Sequence, residues 1–135
     1  MKLDCLVIAA HPDDAEISVG GTLLKLAALG KKTGVVDVTR GELGTRGTAE
    51  DRAQESSRAS ELLGLSFRHN LDAGDGRVVV TPELRERLAA ILRENAPDLV
   101  LCHHTEDLHP DHAASGRLAR EAWCLAGLGR LAEQA

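Results

Sequence analysis

Apolar positions along the chain fall into short dense runs, separated by stretches in which they recur every three or four residues. Residues 3–10, LDCLVIAA, form the first run, and its valine, isoleucine and leucines predict a central strand. From Glu16 to Gly30 the spacing turns helical, with Leu23, Leu24, Ala27 and Ala28 on one side and Gly30 as the stop. Residues 33–39, TGVVDVT, read as a second strand, and residues 40–48, RGELGTRGT, as a long glycine-rich loop. Thr48 then caps a helix whose first turn holds Glu50 and Asp51, two acids suited to the positive end of the helix dipole. That helix runs to about Leu63 and stops at Gly64. FRHNL at residues 67–71 is a weaker strand, and DAGDG at residues 72–76 is a turn. Thr81 and Pro82 open another helix, as cap and first-turn proline, which ends near Asn95 before Pro97. A strand at residues 98–104, DLVLCHH, leads into the polar loop TEDLHPDH, and a last helix runs from about Pro110 to Leu125.

Strand and helix therefore alternate at every step. This predicts an α/β fold of three layers, a doubly wound and mostly parallel sheet with helices on both faces. The expected strand order is 3-2-1-4, with the first and fourth strands side by side and their connections leaving to opposite faces. The crevice at that switch point is where such sheets take their ligands. It is also where the two loops that break their strands with histidine and acid, residues 11–14 and 109–112, would meet.

At 135 residues the chain is read as one domain, residues 1–135, able to bury roughly two thirds of the surface its unfolded form exposes. A net charge of −5 disfavours a nucleic-acid or acidic-membrane partner. The chain has no apolar stretch of about 18 residues and no signal-peptide pattern, so the expectation is a cytoplasmic protein. A small-molecule partner is expected, and a homo-oligomer is left open. Cys5, Cys102 and Cys124 form no CxxC pair and lie in apolar or helical patterns. They are expected to be small core residues of a reducing compartment.

Five of the six histidines fall in just two segments, His11 in the first and His103, His104, His109 and His112 in the second. Asp13, Asp14 and Asp111 accompany them. A catalytic zinc usually takes three protein ligands and keeps one position for water. His11, Asp14 and His112 would supply two imidazoles and a carboxylate. Asp13, beside a ligand in the same turn, is placed to accept the proton of a metal-acidified water. His109, one helical turn from His112, could stabilise an oxyanion or protonate a leaving amine from the other side. Asp111 could orient one of the histidines. An acid near a helix start is often only a dipole partner, and Glu16 is read that way. His69 is given no role. His103 and His104 should point to opposite faces, one towards the site.

With AHPDDAE at residues 10–16 and HPDH at residues 109–112, the chain resembles the LmbE-like, or PIG-L, zinc-dependent N-acetylglucosamine deacetylases. The stretch TRGELGTRGT at residues 39–48, followed by Arg52 and Glu55, resembles that family's substrate loop. The resemblance implies a Rossmann-like sheet, zinc on His11, Asp14 and His112, Asp13 as general base and His109 as support for the tetrahedral intermediate. It further implies that Arg52 contacts substrate and that Asp75 lies near the sugar. Loop chemistry is most similar to the bacillithiol-pathway branch, which deacetylates N-acetylglucosaminyl-malate. Arg40, Arg46 and Arg52 suit a carboxylate substrate, although Arg40 and Arg46 read almost equally well as solvated surface charges. Family members are longer, so the chain is expected to be C-terminally incomplete relative to them. Two alternatives stay open: a non-catalytic metal-binding homologue or fragment, and an Fe(II) enzyme with two histidines and one carboxylate.

Overall fold

The computed structural model describes residues 1–133. Its elements run β1 (Cys5–Ala9), α1 (Asp14–Ala28), β2 (Thr33–Asp37), α2 (Ala49–Leu62), β3 (Phe67–Asn70), α3 (Pro82–Asn95), β4 (Leu99–Cys102), α4 (Pro110–Ala126) and α5 (Gly129–Glu133). The four strands pair in parallel in the order β3-β2-β1-β4, as the alternation predicts. Every residue of β1 and β2 is buried, which is why β1 is an unbroken apolar run, while β2 also buries Thr33 and Asp37 at its ends.

Side chains of the central strands alternate between two cores. Leu6, Ile8, Val36 and Val38 join Leu88, Leu92, Leu118 and other residues under α3 and α4. Val7, Ala9 and Val35 pack on the opposite face with Ala15 and Leu23 of α1, and with Leu63 just beyond α2. The connections after β1 and β4 therefore leave to opposite sides, and the crevice of the doubly wound sheet opens above their C-terminal ends.

Capping follows the expected chemistry. Thr48 and Asp51 form a reciprocal capping box at α2. The Thr81 hydroxyl accepts the Leu84 amide at 3.1 Å at the start of α3. Helix α1 begins at Asp14, two residues earlier than its apolar periodicity indicates. Helix α2 has no buried residue and touches the sheet lightly.

The cysteines depart from expectation. Cys5 is buried, but Cys102 and Cys124 are exposed. Among the described residues β4 has a strand neighbour on one side only, so an apolar pattern there does not carry burial on both flanks. Helix α4 lies unusually close to the end of β4. A Cβ at Gly116 would sit 2.4 Å from the His103 carbonyl oxygen, so only glycine fits.

Candidate active site

The first strand hands over to α1 through a forced turn. Asp13 takes φ 109° and ψ −26°, a left-handed conformation that costs a non-glycine residue roughly 1–3 kcal/mol. Its backbone carbonyl accepts the Ile17 amide at 2.9 Å, yet its carboxylate makes no capping hydrogen bond. The acid at this helix start is therefore not spent on the helix and projects free. Burial, followed by the charges of Asp14 and Glu16, raises its pKa above the ordinary carboxylate value.

Asp14 is the opposite case. Its Oδ2 accepts the His11 amide at 3.0 Å, faces His11 Nδ1 at 3.1 Å and faces His112 Nε2 at 3.2 Å. Burial acts to raise the Asp14 carboxyl, but hydrogen bonding to His11 and the charge of His112 outweigh it and hold the pKa low. His112 sits one turn into α4 and its other nitrogen, Nδ1, faces Asp107 at 3.5 Å. The strand ends bring residues 11–14 and 112 together although a hundred residues separate them.

Behind His11 lie two more carboxylates. Its Nε2 is 2.9 Å from Asp111 Oδ2 and 3.1 Å from Asp75 Oδ1. Asp111, only 1% exposed, also accepts the amides of Gly76 at 2.7 Å and Val78 at 3.3 Å. Asp75 in turn accepts the Leu43 amide at 2.9 Å through Oδ2, so the glycine-rich loop is tied to the same histidine. The hydrogen bond to Asp14 leads, with burial opposing it and Asp111 and Asp75 adding to it. Together they raise the His11 pKa from 6.5 to about 9.

Among the described residues three groupings bring ligand atoms within 4.8 Å of one another: His11, Asp14 and His112; His11, His109 and Asp111; and His103, Asp107 and His112. The donor chemistry favours the first. Tetrahedral ligands about 2.0–2.1 Å from a zinc stand roughly 3.3–3.4 Å apart, close to the spacing of both imidazole nitrogens from Asp14 Oδ2. In that set His11 would use Nδ1 and direct its Nε2–H at Asp111, the carboxylate–histidine arrangement that fixes a ligand's tautomer. Asp111 in the second grouping is already engaged by two backbone amides.

His109 caps α4 unusually, with its Nδ1 accepting the Asp111 amide at 3.1 Å. That leaves Nε2 as the proton-bearing nitrogen. The ring is exposed, and its centroid lies 4.8 Å from that of His11 and 4.7 Å from that of His112. Asp111 thus orients His11 by its side chain and touches His109 only by its backbone. Next to Asp13 opens a cleft of about 510 Å³, lined by Arg46, Arg52, Asp51 and Arg58 among others. Arg52 is half-buried, donates to the Arg46 carbonyl at 3.2 Å and lies over Gly44. It also lines a second cleft of about 400 Å³ with Pro12, Asp37, Arg40 and Arg68.

Other features were beyond the reach of residue patterns. Glu16, read as a dipole partner, also meets Arg68 at 3.2 Å, and Arg68 clasps buried Asp37 through two hydrogen bonds of 2.8 and 3.1 Å. His103 turns into the site, and His104 instead accepts the Glu106 amide at 2.9 Å within its own loop. Strand alternation separated these two without saying which was which.

Comparison with known proteins places this fold in a family. The family model described as GlcNAc-PI de-N-acetylase, PIG-L, matches residues 6–123. The chain is 35% identical over 133 residues to a diacetylchitobiose deacetylase of Thermococcus kodakarensis, covering 91% of this chain and 50% of that protein. It is 31% identical to a probable N-acetyl-alpha-D-glucosaminyl L-malate deacetylase 2 of Bacillus anthracis, covering 87% of this chain and 58% of that one. The chain therefore spans about half the length of these relatives. Among solved structures, the conserved protein TT1542 of Thermus thermophilus superposes with a TM-score of 0.91 at 49% identity, covering 96% of this chain and 59% of that one. The 4-carboxy-2-hydroxymuconate hydratase GalB, from a Pseudomonas, superposes with a TM-score of 0.84 at 30% identity, covering 95% and 58%. Among the described residues no helix is long and apolar enough to cross a membrane. With its two histidine-acid loops meeting at the sheet's switch point, the chain belongs to the PIG-L, GlcNAc-PI de-N-acetylase, family.

Proposed function

We propose that this chain carries the metal-binding and acid–base groups of a zinc-dependent N-deacetylase acting on N-acetylglucosamine conjugates. The observation that carries the reading is the division of labour in one turn. Asp14 is flanked by two imidazole nitrogens at 3.1 and 3.2 Å, while Asp13 beside it stays uncapped and free. A divalent cation held by His11, Asp14 and His112 supplies a Lewis acid and an acidified water. Asp13, its pKa raised by burial, takes the proton of the attacking water and is placed to pass it to the leaving amine. His109 presents Nε2–H to the developing oxyanion. Asp111 and Asp75 hold His11 so that Nδ1 faces Asp14.

The rim favours an anionic aglycone. Arg46 and Arg52 line the cleft beside Asp13, and paired guanidinium donors suit a carboxylate. N-acetylglucosaminyl-malate is the substrate this predicts, with diacetylchitobiose as the neutral alternative. The deciding assay is acetate release by zinc-loaded protein from N-acetylglucosaminyl-malate, N-acetylglucosamine and diacetylchitobiose. Release from none of them by protein shown to hold one zinc rejects the deacetylase reading. The likeness to a muconate hydratase, taken with this chain's own arginine rim, supports a second reading as a hydratase of an unsaturated carboxylic acid. Loss of the diene absorbance of such an acid, without acetate release from any amide, would select it.

A further inference from the structure

We infer that His103 is a positioning residue that clamps the two ligand-bearing loops to each other, and that it is not itself a metal ligand. Ala10 is fully buried and immediately precedes His11. The ladder between β1 and β4 has already ended, at the pair Ile8 and Cys102. The Ala10 amide would therefore be a buried donor without a strand partner on that side, an unpaired group that folded proteins rarely leave unsatisfied. His103 Nε2 accepts it at 3.0 Å. The same ring lies flat against His112, with centroids 4.1 Å apart and planes 16° from parallel. One imidazole thus touches the residue beside one ligand and the face of another.

Two further observations make it a clamp. The backbone of His103 is pinned by α4, whose Gly116 leaves no room for a Cβ against the His103 carbonyl. Its Nε2 lone pair is committed to the Ala10 amide and stands 3.6 Å from Asp14 Oδ2, so that nitrogen is not free to ligate. The role rests on the proposed metal set of His11, Asp14 and His112, and it adds a third histidine that tunes the set without joining it.

Two variants separate the clamp's halves: His103→Phe keeps a stacking ring without an acceptor, and His103→Gln keeps an acceptor without the ring. Zinc affinity is measured by chelator competition, metal stoichiometry directly, and the ligand field from the visible spectrum of the Co(II)-substituted protein. The clamp predicts one metal per chain, an unchanged cobalt band and a Kd weakened about 10–100-fold in each variant. It also predicts a fall in kcat with little change in KM. A Kd within about threefold of the parent in both variants overturns it, even if thermal stability drops. So does loss of the metal altogether or a shifted cobalt band, which would make His103 a ligand. If His103→Phe fails to fold, the Kd of His103→Gln decides alone. Because Kd is read without substrate, the clamp stands or falls separately from the deacetylase reading, which zinc-loaded parent protein tests.

Discussion

The two sides of the cleft are built differently. On the proposed metal side, His11 is held by hydrogen bonds to Asp14 and Asp111 and by the nearby Asp75 carboxylate, over β1, whose residues are all buried. On the proposed substrate side, Arg46 is exposed, and Arg52 projects from a helix with no buried residue. Under the proposed function, chemistry that tolerates little displacement would sit on the rigid core, and recognition on elements that can vary without disturbing it.

The sharpest break in that comparison comes within the metal side. Asp13→Asn is expected to keep the metal and lose about 10²–10⁴-fold in kcat, whereas His112→Ala is expected to lose the metal itself. Asparagine tolerates the left-handed turn, so the backbone is spared. An empty site in Asp13→Asn, seen by metal analysis, would mean that base and ligand have been assigned the wrong way round.

On the substrate side the effect should be smaller and of another kind. Arg52→Ala is expected to raise KM for the malate conjugate about 10–100-fold, as loss of a charged hydrogen-bonding pair would, with kcat nearly unchanged. Diacetylchitobiose should be affected little. Equal losses for both substrates would remove the case for an anion at this rim.

Acid–base behaviour sharpens the contrast further. In metal-free protein the His11 pKa rises in the folded state from 6.5 to about 9. The stabilisation from its imidazolium is therefore present in full below about pH 6.5 and is lost as pH rises through about 9. The same proton must leave before a cation binds at Nδ1, so metal affinity should climb with pH and level off above about 9. Chelator competition across pH checks the slope, and a flat profile would contradict the carboxylate surroundings of His11.

The smallest expected change is in stability. Asp13→Gly relieves the left-handed strain at φ 109° and should stabilise metal-free protein by about 1 kcal/mol, visible as a rise of a few degrees in Tm, while abolishing turnover. A fall in Tm would show that the turn is not strained.

Much of this was legible beforehand because it is local or periodic. Alternating patterns specify β3-β2-β1-β4, Thr48 and Thr81 announce their helices, and the doubled histidine-acid motif picks out the residues that converge at the switch point. What stayed hidden depends on distant segments meeting. Nothing near DAGDG reveals that Gly76 and Val78 donate to Asp111, or that Asp75 backs His11. The clasp of Arg68 on Asp37 and Glu16 joins three elements. The exposure of Cys102 reflects its place on an edge strand, which composition does not encode.

The light seating of α2 has a consequence for how the protein comes apart. Its start is secured by the Thr48–Asp51 capping box rather than by core contacts, so its amides should exchange with solvent through local opening, whereas those of β1 and β2 exchange only when the whole sheet is lost. Mild heat or denaturant would then dismantle the arginine wall first, leaving a folded sheet with the proposed metal ligands in place but the proposed substrate rim gone.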